Sequence, residues 1–350
     1  MYRVAFRVDG GYKVGMGHLS ECLALANEMQ RNDNICILFI TKKHSKVSEL
    51  LRDYHIELLS EKSLRNEIIA VNKILSKFRP HVLILDITDP YPSIKRNPLF
   101  FEWIRCLREK GIFLVGIEGI STRNYYPHMI VNGTIVPEWH IYSRKPQTRY
   151  FIGPKYLILD RKFIELHREK RIISNNCNKI LICMGGSDIS NTTLKVINSL
   201  RSLKHNLEIA LILGPWYKGE SILKRKIKDY PHKIKVYRGV RDISRHMMDS
   251  DIAITSAGRI LYELCATGTP SISIPIVKHQ MYTAREMEKQ KTTINLGFRV
   301  SQEKIKRTVE MLLNNKDLRK RMSENGKKLI DGRGVERVSR NILKHLGEKS

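Results

Sequence analysis

Three times in this chain an apolar run ends in a turn of small residues and passes into an amphipathic stretch. Val4–Val8 leads to Gly15-Met16-Gly17-His18, Ile180–Met184 to Gly185-Gly186-Ser187-Asp188, and Ile252–Thr255 to Ser256-Ala257-Gly258-Arg259. Small residues let the backbone come close to a ligand. The first N–H groups of a helix starting there lack partners within it and point into the turn. Each junction is therefore an expected anion site, and three of them in one α/β chain point to a diphosphate.

The rest of the sequence fits the same scheme. Short apolar strands are expected at Val4–Val8, Ile35–Ile40, Val82–Leu85, Phe113–Ile117 and Met129–Val131, with helices at Leu19–Arg31, Lys46–Tyr54, Ser63–Lys77 and Leu99–Lys110. After an irregular stretch near Tyr150–Phe163 a second alternating unit begins. Its strands are expected at Ile180–Met184, Ile209–Leu213, Lys235–Val236, Ile252–Thr255 and Ser271–Ile274. Its helices are expected at Thr193–Leu203, Ser221–Lys228, Ile243–Ser250, Ile260–Thr267 and Met281–Lys289, followed by a charged helical tail to Leu346. Short apolar strands between longer periodic segments mean parallel sheets covered on both faces. The expectation is two α/β domains, 1–150 and 176–335, with a connection at 151–175 and a basic helix at 336–350. Two such halves facing each other would hold a ligand in a central cleft, at the carboxyl ends of their strands.

Hydrophobic residues make up 42% of the 350, ample for two cores. No segment approaches the ~20 apolar residues of a membrane span, and Met1–Phe6 reads as a strand, not a secretory signal. The six cysteines form no CxxC pair; they read as core residues of a reduced, cytoplasmic protein. The net charge of +27 raises the question of nucleic acid. The basic residues are spread evenly, however, with no helix-turn-helix, zinc finger or aromatic-basic interleaving, so nucleic acid is not an expected partner. Solvated surface lysines are the plain reading of the charge. Weak peripheral contact with an anionic membrane is a further one, for which Pro98–Arg105 mixes aromatic and basic residues; the buried face of an ordinary helix explains that segment better.

The turns also carry chemistry. His18 opens a helix whose buried stripe is Leu19, Cys22, Leu23, Ala26 and Met29. The positive helix end disfavours imidazolium, and a neutral histidine can serve as general base; a capping or packing histidine is the alternative. In the second turn Ser187 or Asp188 could cap the next helix, and Asn191 could reach towards the ligand. In the third, Arg259 and Glu263 are spaced to pair on a helix face, but Arg before Glu is the weaker order, and a carboxylate there can accept ribose hydroxyls. There is no P-loop lysine motif, HExxH or nucleophile elbow. Asp9, Asp86 and Asp89 end strands far apart in sequence, so no metal and no cofactor is expected.

Phe6-Arg7-Val8-Asp9, Val14-Gly15-Met16-Gly17-His18, Tyr150-Phe151-Ile152-Gly153-Pro154-Lys155-Tyr156, Asp160-Arg161 with Phe163, and Ile182-Cys183-Met184-Gly185-Gly186-Ser187-Asp188 with Asn191 resemble one family. It is that of the UDP-sugar hydrolase of pseudaminic acid biosynthesis and its spore-coat polysaccharide relative. The third turn with Glu263, Gly268, Pro270, Pro275 and Gln280 is similar also to the lipid-linked N-acetylglucosamine transferase of peptidoglycan synthesis. The resemblance implies the GT-B fold, two Rossmann-like domains with a UDP-sugar between their parallel sheets. It implies Glu263 on the ribose, Ser256, Ala257 and Gly258 at the diphosphate, backbone near Val240 at the base, Asn191 on the substrate and His18 as proton acceptor. Asp9, Gly15, Met16, Gly17, Asp86, Gly185, Gly186, Ser187, Asp188, Arg259, His279 and Gln280 complete the expected binding set. The implied reaction removes UDP from a 2,4-diacetamido-2,4,6-trideoxy sugar with inversion, in nonulosonate or surface polysaccharide biosynthesis. The alternative is a GT-B transferase moving the sugar to a glycan or lipid-linked acceptor. The chain departs from the hydrolases at Ile117-Glu118-Gly119-Ile120 and at Asp86–Pro90, loops expected to touch the sugar.

Overall fold

The computed structural model describes residues 1–11, 16–86, 97–117, 126–240 and 242–347. The expected binding residue Gly15 and the sugar loops 87–90 and 118–120 lie outside them. The chain divides into two compact units, Met1–Arg161 with Arg333–Ser350, and Lys162–Gly332.

The first unit holds β1 (Tyr2–Val8), β2 (Ile35–Lys42), β3 (His55–Leu59), β4 (Val82–Asp86), β5 (Phe113–Ile117), β6 (Met129–Asn132) and β7 (Arg149–Ile152). They form one parallel sheet in the order β3-β2-β1-β4-β5-β6-β7. Its helices include α1 (Gly17–Met29), α2 (Ser45–Leu50), α3 (Leu64–Phe78) and α4 (Pro98–Glu109). Local chemistry sets their ends. Ser63 Oγ accepts the Asn66 N–H at the start of α3, which stops at Arg79 in the left-handed conformation (φ 49°). Asn97 caps α4 ahead of Pro98, a favoured first helical residue. The aromatic segment weighed for membrane contact is largely interior: Phe100, Trp103, Ile104 and Leu107 are buried, and the Trp103 indole donates to Asn72 Oδ1 at 2.9 Å.

The second unit has β8 (Lys179–Cys183), β9 (Glu208–Leu213), β10 (Lys233–Arg238), β11 (Ile252–Thr255), β12 (Ser271–Ser273) and β13 (Thr293–Asn295), again all parallel, in the order β10-β9-β8-β11-β12-β13. Around it run α5 (Lys162–Arg168), α6 (Thr192–Leu200), α7 (Glu220–Ile227), α8 (Ser244–Asp249), α9 (Ile260–Thr267), α10 (Gln280–Lys289), α11 (Gln302–Asn314) and α12 (Lys316–Leu329). Its core is aliphatic, with Ile180, Ile182, Val196, Leu211, Ile254 and Ile272 at zero exposure. Arg319, also buried, donates to the carbonyls of Leu312 and Leu313 at the end of α11.

The last helix, α13 (Gly334–Gly347), returns to the first unit. Val335, Val338, Ile342 and Leu346 are its buried stripe. Gly334 is required, because a Cβ there would stand 2.0 Å from the Leu157 carbonyl oxygen. Arg161 joins Glu28 of α1 (2.9 Å) to Glu336 of α13 (3.1 Å). The expected boundaries, drawn along the sequence, had no means of registering this return. Among the described residues no helix is long and apolar enough to cross a membrane.

Candidate functional site

In the second unit β8 and β11 are neighbours, with Cys183 level with Thr255. The Thr255 hydroxyl donates to the Cys183 carbonyl at 2.7 Å. Two of the three expected turns thus open side by side. A Cβ on Gly185 (φ +80°) would lie 3.4 Å from Ser256 Oγ. Ser256 and Ala257 are buried, and Gly258 is half-buried. Gln280, the first residue of α10, accepts the Ile276 N–H on its Oε1 (3.0 Å), which aims its Nε2 donor at the Gly258 turn. Exposed His279 is the N-cap of that helix, and Val240 follows Gly239 (φ +65°) at the end of β10.

In the second turn Asp188, one of the two caps the sequence offers, is the one that caps the next helix. Both Asp188 oxygens are committed, accepting the N–H groups of Thr192 (2.8 Å) and Thr193 (2.7 Å). The start of α6 is therefore already satisfied by a carboxylate of the chain itself, and Asp188 is a helix cap. Arg259 and Glu263 do pair, at 3.4 Å, with each side chain 16% exposed.

The sequence signals left out a fourth loop, Gly214-Pro215-Trp216-Tyr217, at the end of β9. The Trp216 N–H donates to the Gly186 carbonyl (3.0 Å) and its ring lies over Gly186. A Cβ on Gly214 would sit 2.2 Å from the Gly185 carbonyl oxygen. The Tyr217 hydroxyl donates to Asn191 Oδ1 at 3.0 Å. A Gly-Pro pair at a strand end was the available signal, and it reads as an ordinary turn.

In the first unit, Met16 is the N-cap of α1, Gly17 its first residue and His18 its second. Asp86 ends β4, level with Val8 of β1. Its carboxylate is buried, and Oδ1 lies 2.8 Å from His18 Nδ1. The Cys22 thiol lies 3.7 Å from Oδ2. A carboxylate only accepts, so Nδ1 carries the proton and Nε2 is the basic nitrogen. The sequence argument rested on the helix end alone; the fold adds a buried carboxylate that fixes the tautomer. Glu21, one turn along α1, completes a trio whose ligand atoms all lie within 4.8 Å of one another, the one group of its kind found among the described residues.

Asp9 is placed otherwise than expected. Its two oxygens accept from Arg7 at 2.7 and 2.8 Å, and Oδ1 also accepts the Lys42 N–H. Glu67 joins the same guanidinium. Asp9 belongs to a buried ion cluster with Arg7 and Glu67. Burial alone would raise its carboxyl; Arg7 and Lys42 outweigh that and hold it below the usual carboxylate range. Burial pushes the Cys183 thiol up to about 11 and Cys265 up to about 12, which makes both inert.

Residues 180–337 match the glycosyltransferase family 28 C-terminal domain. Uncharacterized protein MJ1062 of Methanocaldococcus jannaschii is 32% identical over 279 residues, 77% of this chain, and the chain spans only 55% of that relative's length. The spore coat polysaccharide biosynthesis protein SpsG of Bacillus subtilis is 27% identical over 99% of each chain. The pseudaminic acid cytidylyltransferase and UDP-2,4-diacetamido-2,4,6-trideoxy-beta-L-altropyranose hydrolase of Helicobacter pylori is 27% identical over 52% of this chain and 33% of its own. The crystal structure of Acinetobacter baumannii MurG aligns over 98% of this chain and 100% of its own, with a TM-score of 0.69 at 14% identity, which speaks for the fold. The chain has the GT-B fold, and in residues 180–337 it is similar to the glycosyltransferase family 28 C-terminal domain.

Proposed function

We propose that this chain is a nucleotide-sugar hydrolase that releases UDP from a UDP-2,4-diacetamido-2,4,6-trideoxy sugar. The observation that carries the reading is the His18–Asp86 pair, a base held in one tautomer by a buried carboxylate. The name of the H. pylori relative supplies the substrate class, and that of the B. subtilis relative the setting of polysaccharide biosynthesis.

In this mechanism Asp86 accepts a hydrogen bond from the Nδ1–H of His18. Nε2 takes a proton from water as the water oxygen attacks the anomeric carbon from the face opposite UDP. The bond between that carbon and the β-phosphate oxygen breaks, its electron pair leaves with UDP, and configuration inverts. Asp86 stabilises the imidazolium formed. Backbone N–H groups at Ser256–Gly258 and the start of α9 stabilise the departing diphosphate, while Glu263 accepts ribose hydroxyls and backbone near Val240 meets the base. Gly185–Ser187, Asn191 and Gln280 complete the grip.

A second reading, transfer to a glycan or lipid-linked acceptor, is supported by the family 28 match. The same base would then take its proton from an acceptor hydroxyl. Incubation with the UDP-linked diacetamido sugar in buffer alone separates the two. UDP release without acceptor is expected, and His18→Ala should abolish it while UDP binding persists. Release that appears only on adding an acceptor would replace the hydrolase by the transferase.

A further inference from the structure

The loop after β9 has no part in the reaction as set out above, yet it is laced to the second glycine turn by groups that leave little freedom. Tyr217 is 4% exposed, and its hydroxyl is enclosed: a Cβ on Gly219 would come within 2.5 Å of it. A buried phenol must place its proton on an acceptor, and the acceptor it has is Asn191 Oδ1 at 3.0 Å. Asn191 itself is an exposed residue in the left-handed conformation (φ 54°), tied back through its N–H to the Asp188 carbonyl. Among the described residues its side chain makes this one hydrogen bond. An amide whose oxygen is engaged from below must turn its NH2 group the other way.

We infer that Tyr217 is a positioning residue, which locks the Asn191 amide so that its Nδ2 donors face an oxygen acceptor on the diphosphosugar. This rests on the UDP-sugar reading and adds to it the residue that decides which end of Asn191 the ligand meets. Without the phenol the amide is free to flip, and its oxygen would then confront an anionic ligand. Burial, reinforced by the charge of Asp188, pushes the Tyr217 hydroxyl up to about 12, so it remains a donor throughout the neutral and mildly alkaline range. The arrangement also accounts for the cap: Asp188 takes the α6 N–H groups that Asn191, at the N-cap position, does not use.

The test is a double-mutant cycle on the full-length protein, with Tyr217→Phe, Asn191→Ala and both together. Binding of UDP and of UDP-N-acetylglucosamine is measured by calorimetry, with thermal unfolding as control. Tyr217→Phe is expected to weaken binding roughly five- to tenfold, the size of one ordinary hydrogen bond. In the Asn191→Ala background the same change should do nothing, since no amide remains to orient. Loss for both ligands puts the acceptor on the diphosphate; loss for the sugar nucleotide alone puts it on the sugar. Additive losses in the cycle, or unchanged binding by Tyr217→Phe while the wild type binds, would overturn the inference alone. A wild type that binds neither ligand would overturn the UDP-sugar reading and this inference with it.

Discussion

His18 Nδ1 lies 2.8 Å from Asp86 Oδ1, across 68 residues of sequence, and the carboxylate it meets is 2% exposed. A buried carboxylate with both oxygens turned on α1 defines which ring nitrogen is basic. On the proposed mechanism Asp86→Asn should lower kcat by about 10²–10⁴, because an amide can favour the wrong tautomer and cannot stabilise the imidazolium. KM should change little. Steady-state kinetics at saturating substrate check this; a kcat within threefold of wild type would remove Asp86 from the reaction.

The same carboxylate belongs to the His18–Glu21–Asp86 trio, a donor set that a divalent cation could also accept. The two uses exclude one another, since a metal on Nδ1 would displace the proton given to Asp86 and a metal on Nε2 would occupy the lone pair the base needs. The base mechanism requires that protein dialysed against EDTA keep full turnover, and that added zinc inhibit it by capturing the trio. Activity that falls on chelation and returns with a stated metal would reassign these three residues as ligands.

The Arg7 cluster makes a prediction about acid. Asp9 is held below its ordinary range in the folded protein, so its contribution to stability is complete above the unfolded pKa of about 4 and disappears as pH falls through the lower folded value. Urea unfolding midpoints should therefore drop steeply below about pH 4, and Asp9→Asn should flatten that limb. Arg7→Met leaves two buried carboxylates with only the half-buried Lys42 as counter-ion and should cost about 3–5 kcal/mol. A midpoint unchanged by Arg7→Met would mean that the cluster carries no net stability.

Which parts of this architecture could be read along the chain follows from burial. The inner strands β4, β8 and β11 are mostly apolar runs because both their faces are covered. The strands without a sequence signal are β3, β7 and β13, all at sheet edges, where one side meets solvent and residues such as His55, Glu57, Arg149 and Asn295 intrude. The glycine turns were legible because they follow inner strands. The pairings of His18 with Asp86 and of Tyr217 with Asn191 were not, since both depend on strand order in the sheet, whereas the cap of α6 was legible down to a choice between Ser187 and Asp188.

Arg259 and Glu263 supply the last prediction. Their 3.4 Å pair runs in the less favourable order and is partly exposed, so it contributes about 0.3–0.5 kcal/mol. That is too little to keep Glu263 from a ribose, whose two hydroxyls would give it two charge-assisted hydrogen bonds. If Glu263 has this role, the wild type should bind UDP about tenfold more tightly than 2′-deoxy-UDP, and Glu263→Ala should erase the preference by weakening UDP alone. Arg259→Ala, which removes the competing partner but not the acceptor, should leave the preference in place. Competition binding with the two nucleotides reads all three proteins. A preference for UDP that survives Glu263→Ala would return this carboxylate to its arginine and leave the ribose to another group.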